Sequence, residues 1–353
     1  MKPTVMTVLG TRPQFIKAAP VTRTLTQVAD EYLVNTGQHY DAEMSSAFFD
    51  EHGIPEPHID LGVGSGEQGA QTGRMLEALE AVMLERGPDV VQVYGDTNST
   101  LAGALAAVKL GIPVAHVEAG LRSWRRDMPE EINRVVTDHV SSLLLCPTET
   151  AVENLRREGI TSGVELVGDV TVDAVHAVLG RLNRSRLDGL AVPDRFIAAT
   201  MHRPANVDSR ESLAQALDLF GAMPLPVAIA VHPRTEAAMK RFGLAWPANV
   251  IALKPLGYLD MLTLVRFADA MLTDSGGLQK ETIIVGTRCV VLREETEWVE
   301  TVDQGMSRLV GLDREAALDA VKTLPIPDRD AIDALFPPGA SQRIADLIAD
   351  LAG

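Results

Sequence analysis

The sequence predicts an α/β protein of two Rossmann-like, doubly wound domains facing a cleft, and three observations carry that prediction. Short β-branched runs alternate with longer segments of helical spacing from one end of the chain to the other. The strand-like runs are predominantly apolar, as parallel strands are when helices cover both faces of a sheet. The runs also fall into two sets, and 353 residues at roughly 150 per domain make about two domains.

Taken in order, the first set of predicted strands is Val5 to Leu9, Tyr32 to Asn35, Val90 to Tyr94, Pro113 to Val117 and Leu143 to Cys146. The second set is Phe196 to Thr200, Val227 to Val231, Val250 to Leu253, Ala270 to Thr273 and Arg288 to Leu292. Ala- and Leu-rich helical segments such as Leu101 to Val108 lie between them. The boundary is expected near residue 170, where Val167-Gly168-Asp169-Val170 precedes a helix and the Arg-rich stretch Arg181 to Arg186. The expected domains are therefore residues 1–170 and 171–337. The final helix, Ser341 to Leu351 after Pro337-Pro338-Gly339, fits an element within 338–353 that returns to the first domain. In open α/β sheets ligands bind beyond the carboxyl ends of the strands, so two facing sheets imply a site in the cleft.

Composition narrows the function. Only eight Phe, four Tyr and three Trp are present, so Ala, Val, Leu and Ile must build the core. The net charge of −16 argues against a nucleic-acid partner, which needs a basic face to release counterions. It leaves room for a small anion, because fields beyond about 8 Å are screened at physiological salt. Cys146 and Cys289 are far apart and each sits in an apolar run. They read as small buried hydrophobes in a reducing compartment. The chain runs from Met1-Lys2-Pro3-Thr4 directly into a strand and has no stretch of 18 apolar residues. A cytoplasmic protein with no membrane partner is expected.

The polar residues that carry chemistry cluster just after predicted strands. In Gly10-Thr11-Arg12-Pro13-Gln14-Phe15-Ile16-Lys17, Gly10 is expected to allow a tight turn. Arg12 can fork onto phosphate oxygens, and Lys17 falls on the following helix. Thr273-Asp274-Ser275-Gly276-Gly277-Leu278-Gln279-Lys280-Glu281 carries the strongest phosphate signal. There the Ser275, Gly276 and Gly277 amides at a helix start would meet an anion. Glu281, on the same helix, could hold both hydroxyls of a ribose. The alternatives are Ser275 as an ordinary N-cap and Glu281 as a solvated helix residue.

Acid–base candidates stand at other strand ends. Asp96 follows Tyr94-Gly95, with capping of the next helix as its alternative role. Glu118 ends the run His116-Val117-Glu118, where a charge needs a partner. Glu130 opens a helix after Pro129, where it also complements the helix dipole. His202-Arg203 and His232-Pro233-Arg234 bring His and Arg to two strand ends of the second domain. No His or Cys spacing fits zinc, and no nucleophile elbow or dinucleotide fingerprint is present.

These motifs, in this order, resemble the bacterial non-hydrolysing UDP-N-acetylglucosamine 2-epimerases, which have the glycosyltransferase-B fold. The resemblance runs through Gly10-Thr11-Arg12-Pro13, Gly37-Gln38-His39, Gly95-Asp96-Thr97, His116 to Arg122, Pro129 to Arg134, His202-Arg203 and Asp274-Ser275-Gly276-Gly277 with Glu281. It implies interconversion of UDP-GlcNAc and UDP-ManNAc by elimination of UDP to a bound 2-acetamidoglucal, followed by re-addition. Asp96, Glu118, Glu130 and His202 occupy the positions the family uses for catalysis. The resemblance further implies that Arg12, Lys17, Arg122, Arg234, the Ser275-Gly276-Gly277 segment and Glu281 bind the substrate. No metal or other cofactor is implied, because arginines and a helix end can bind the diphosphate. A homodimer serving cell-surface polysaccharide synthesis is expected.

Three departures from the commonest family pattern bear on the substrate. Gln14 replaces a frequent Glu, Tyr40-Asp41 follow the Gln-His pair, and Arg293-Glu294-Glu295-Thr296-Glu297-Trp298 replaces a Thr-Glu-Arg-Pro-Glu type of segment. They are similar to relatives acting on UDP-2,3-diacetamido-2,3-dideoxyglucuronate. They also put the second, regulatory nucleotide-sugar of many bacterial members in question. The rival functions are a hydrolysing 2-epimerase, a retaining glycosyltransferase and a non-catalytic sugar-nucleotide sensor. The last would not need the carboxylate set.

Overall fold

The computed structural model describes residues 2–38, 49 and 53–353. Two compact units divide it, Met1–Ala174 with Pro337–Gly353, and Val175–Phe336. Each is a parallel sheet with helices on both faces, the Rossmann-like architecture expected from the apolar strand runs.

In the first unit the strands are β1 (Thr4–Leu9), β2 (Asp30–Asn35), β3 (Ile59–Asp60), β4 (Val90–Tyr94), β5 (Val114–Val117), β6 (Leu143–Cys146) and β7 (Val164–Leu166). They lie in the order β3-β2-β1-β4-β5-β6-β7, and every pairing is parallel. Alternate residues of β1 feed two cores. Val5 and Leu9 join Phe15, Leu25, Ile344 and Ile348 on one face. Met6 and Val8 join Val91, Val93 and Ala102 on the other. Burying one such side chain is worth roughly 1.5–3 kcal/mol, which is why these strands read as predominantly apolar runs.

The second unit holds β8 (Ile197–Thr200), β9 (Val227–Ala230), β10 (Val250–Leu253), β11 (Ala270–Thr273), β12 (Cys289–Val291) and β13 (Ser307–Leu309). The order is β10-β9-β8-β11-β12-β13, again all parallel. Strand order reverses between β1 and β4 in one unit and between β8 and β11 in the other. Such reversals open the crevice in which doubly wound sheets bind ligands.

The sequence reading misses β3, β7 and β13. Each is two or three residues long, lies at a sheet edge and mixes polar with apolar residues, so no period can be read. The C-terminal helix Ala340–Ala352 packs on the helix Arg12–Val28 within the first unit. Asp173 fixes its start by accepting from the Gly339 and Ser341 amides and the Ser341 hydroxyl, each at 2.7 Å. Cys146 and Cys289 are free thiols buried in β6 and β12, and burial pushes both well above the ordinary thiol range. Among the described residues no helix is long and apolar enough to cross a membrane.

Candidate functional site

The first unit places its candidate residues around the β1/β4 reversal. Gly10 follows β1, but not as a left-handed turn residue, since its φ is not positive. It is small because the chain passes hard against two hydroxyls. A Cβ there would lie 2.1 Å from Ser99 Oγ and 2.3 Å from Thr36 Oγ1. Gln14 ties this turn to the next strand. Its Oε1 accepts from the Gly10 amide at 2.8 Å, and its Nε2 donates to the Tyr94 carbonyl at 2.8 Å and to Thr97 Oγ1 at 2.9 Å. An ionised Glu here could not make the two donations. Arg12 and Lys17 are both half-buried on the helix that follows.

Asp96 is not the helix cap that its alternative role required. Thr97 caps the helix Asn98–Lys109 in a reciprocal box with Thr100, and Asp96 instead pairs with the Arg134 guanidinium. Arg134 also bonds Glu131 at 2.7 Å. Glu118, almost fully buried, finds its partner in Lys17, whose Nζ lies 2.7 and 2.9 Å from its two carboxylate oxygens. Burial opposes the Lys17 charge, but the Glu118 carboxylate prevails and raises the ammonium above its usual range. A Cβ on Gly95 would lie 3.4 Å from Glu118 Oε2, so this carboxylate sits beside the Asp96 turn. Glu118 reaches that point from a left-handed backbone, φ +67°, a conformation that side-chain-bearing residues rarely adopt and that concentrates at functional sites.

Glu130 stands exposed in the first turn of the helix Pro129–Val140. Its neighbour Glu131 is buried and accepts from the Ser123 and Trp124 amides, both at 2.9 Å. Despite its burial, the Ser123 bonds and Arg134 hold the Glu131 carboxyl below its usual range.

Arg122 is enclosed by acceptors of its own unit. Its side chain is wholly buried, with the guanidinium donating to Asp138 at 2.7 Å, to both Glu158 oxygens at 2.7 Å and to the Leu121 carbonyl at 2.7 Å. Four of the five guanidinium N–H groups are thus committed within the protein.

The second unit builds its site on the β8/β11 pair, in which Thr200 lies opposite Thr273. Asp274 is fully buried and accepts from the His202 amide at 2.9 Å, the Arg203 amide at 2.8 Å and Asn206 Nδ2 at 3.1 Å. His202 Nδ1 lies 3.1 Å from the same carboxylate. Burial would raise the Asp274 carboxyl, but His202 and these amides hold it below its usual range. His202 stacks on His232 with ring centroids 5.1 Å apart. Burial, His202 and Arg234 push the His232 imidazole down against the pull of Asp274. Its Nδ1 accepts from the Arg234 amide at 3.1 Å, while the Arg234 guanidinium reaches Asp208 at 2.6 Å.

Ser275 is the N-cap of the helix Gly276–Ile284, accepting from the Leu278 amide at 3.5 Å. The Gly276 and Gly277 amides that follow have no carbonyl of their own helix to donate to, and the helix dipole places positive potential at them. Arg203, Arg293 and Glu297 lie 3.5–3.8 Å from where a Gly276 Cβ would stand. Arg293 and Glu297 form a largely buried pair at 2.8 Å, and Trp298 Nε1 donates to the Gly276 carbonyl at 3.1 Å. Glu281 faces the buried Tyr258 phenol. Burial, then the Glu281 charge and hydrogen bond, raise that phenol well above its usual range. Sequence reasoning missed Tyr258 and Asp138, for no local pattern announces a partner supplied by another element. His39, Tyr40 and Asp41 lie outside the described residues. Among the described residues no group of three or more His, Cys, Asp or Glu could hold a metal ion.

The family described as UDP-N-acetylglucosamine 2-epimerase matches residues 23–349. The chain belongs to the UDP-N-acetylglucosamine 2-epimerase family. A Methanococcus maripaludis UDP-N-acetylglucosamine 2-epimerase homolog is 47% identical over 90% of this chain and 91% of its own. The Pseudomonas aeruginosa UDP-2,3-diacetamido-2,3-dideoxy-D-glucuronate 2-epimerase is 44% identical over 98% and 99%. The crystal structure of Methanocaldococcus jannaschii UDP-GlcNAc 2-epimerase in complex with UDP-GlcNAc and UDP matches with a TM-score of 0.88 at 40% identity, over 99% of this chain and 100% of that one. Relatives of this epimerase family member are archaeal as well as bacterial.

Proposed function

We propose that this chain is a non-hydrolysing UDP-N-acetylglucosamine 2-epimerase, interconverting UDP-GlcNAc and UDP-ManNAc. The observation that carries the reading is the placement of the candidate residues at both strand-order reversals. Asp96 and Glu118 gather beside β4, and His202, Ser275, Gly276 and Gly277 gather beyond β8 and β11. A protein that only bound the nucleotide would have no use for the first group.

In this reading UDP leaves carbon 1 ahead of deprotonation at carbon 2, which is a weak carbon acid. Carboxylates stabilise the developing oxocarbenium charge, and the bound glucal then takes UDP back with its proton on the opposite face. Asp96, Glu118, Glu130 and His202 are the acid–base set. Asp274 holds His202 through Nδ1, leaving Nε2 as the atom that can carry a proton to substrate. Arg12, Lys17, Arg234 and the Gly276-Gly277 amides retain the diphosphate between the two steps, and Glu281 holds the ribose. The enzyme acts in the cytoplasm as a homodimer, without metal or cofactor.

A second reading has a specific observation in its favour. The Pseudomonas aeruginosa relative, 44% identical over 98% of this chain, acts, by its description, on the diacetamido-uronate nucleotide, and Arg293 to Trp298 packs directly against Gly276. Incubation with each nucleotide-sugar, followed by chromatography, tests both readings. Conversion of UDP-GlcNAc to UDP-ManNAc without free UDP supports the first. Conversion of the uronate alone replaces it with the second, and free N-acetylmannosamine with UDP means hydrolysis.

A further inference from the structure

Asp138 is a buried carboxylate to which the chemistry above assigns nothing, and it straddles Glu118. On one side its Oδ1 meets His116 Nδ1 at 2.7 Å. On the other its Oδ2 accepts from the Gly120 amide at 3.1 Å and from Arg122 at 2.7 Å. One side chain thus grips the residues two before and two after Glu118, together with Arg122 beyond. The opposite ring nitrogen of His116, Nε2, lies 2.7 Å from the carbonyl of Gly95, the residue that precedes Asp96. Both ring nitrogens therefore face acceptor oxygens.

The rest of the turn is equally constrained. The Glu118 and Ala119 amides share the Leu145 carbonyl at 3.1 and 3.2 Å. Asn154 Nδ2 donates to the Gly120 carbonyl at 3.0 Å. Gly120 itself, at φ +79°, presses so closely on the helix Glu149–Arg157 that a Cβ would lie 2.4 Å from the Ala151 carbonyl oxygen. Arg122 is anchored in turn by Glu158. The His116, Asp138 and Arg122 side chains are all fully buried, so none of them touches a substrate.

We propose that His116, Asp138 and Arg122 are positioning residues that hold Glu118 in its left-handed conformation and set its carboxylate against the Asp96 turn. A left-handed residue other than glycine persists only when its surroundings over-determine it, and this cluster supplies that determination from both flanks. The link through Gly95 fixes the two carboxylate-bearing turns to one another, so that loss of the cluster displaces both. The kinetic half of the inference rests on the epimerase reading. The conformational half does not.

The test is Asp138→Asn, which keeps the side chain's shape but cannot accept from His116, Gly120 and Arg122 together. The expected crystal structure of this variant has Glu118 out of the left-handed region and away from Lys17, with the sheet unchanged. The expected kinetics are a kcat lower by about tenfold to a hundredfold with KM within about threefold, the signature of lost positioning. A variant that keeps Glu118 at positive φ beside Lys17 overturns the proposal whatever its activity. So does one whose loss appears mainly in KM. Should Asp138→Asn fail to fold, His116→Asn keeps a donor toward Asp138 and gives up the Gly95 contact. It should show the same change in smaller measure, and wild-type kcat with Glu118 unmoved again overturns the proposal. A wild-type chain inactive on both nucleotide-sugars would defeat the functional reading alone, since the conformation of Glu118 in the variants still decides this one.

Discussion

Lys17 and Glu118, 101 residues apart, form an ion pair in which Nζ lies 2.7 Å from Oε2 and 2.9 Å from Oε1. It joins the helix after β1 to the end of β5, and it places beside the Asp96 turn a cation that can serve both carboxylate and phosphate. Lys17→Met should therefore cost more than affinity. The Glu118 carboxylate, 4% exposed, would lose the Lys17 ammonium, a loss of on the order of 2 kcal/mol after allowance for the partial exposure of Lys17. Urea unfolding measures that loss, and steady-state assay should show kcat/KM reduced at least tenfold. Unchanged stability and turnover would remove the pair from the account.

Asp274 should make part of the stability pH-dependent. Its carboxyl is held below the usual range by His202 and by backbone amides, against the cost of burial. The contribution is therefore present above about pH 4, the ordinary aspartate value, and is lost as pH falls through the depressed folded value. Asp274→Asn should be less stable than wild type by about 2 kcal/mol at pH 7. The gap between their melting temperatures should hold from pH 7 to 5 and close on further acidification. A gap that widened in acid would reverse the sign of the argument.

Tyr258 should matter to nucleotide binding through Glu281. Tyr258→Phe removes the phenol that the Glu281 carboxylate faces and leaves the ring in place. Loss of one such polar interaction is worth about 1 kcal/mol, so calorimetry should find UDP bound about fivefold more weakly. Wild-type affinity would mean that Glu281 is set by other contacts or does not meet the ribose.

Gly10 should tolerate no side chain. Gly10→Ala drives a methyl group into the Thr36–Ser99 hydroxyl pair, which is 2.7 Å apart and fully buried. Overpacking of this kind costs about 1–3 kcal/mol, readable as a lower urea midpoint with an unchanged slope. A neutral substitution would show that the turn yields.

The legible parts of this protein are those that obey a local rule. Val90–Tyr94 and Leu143–Cys146 match the expected strands to the residue, because apolar runs bounded by turn residues announce central parallel strands. Ser307–Leu309 does not announce itself, since an edge strand with Arg308 at its centre buries little. The same division holds at the site. Ser275-Gly276-Gly277 can be read as a helix start from its spelling alone. The spelling of Arg122 cannot tell a phosphate fork from a buried strut, for that depends on Asp138 and Glu158, 16 and 36 residues further on. Gly10 makes the point from the other direction. Its need for smallness is imposed by Ser99, which only the β1/β4 pairing brings near.

The most direct test of the account is proton NMR of UDP-N-acetylglucosamine incubated with the protein in heavy water. Reversible elimination and re-addition through two-faced proton exchange predicts UDP-N-acetylmannosamine as product, with deuterium entering carbon 2 of both epimers. Recovery of UDP-N-acetylglucosamine and its uronate counterpart with carbon 2 fully protonated, and no epimer formed from either, would contradict it.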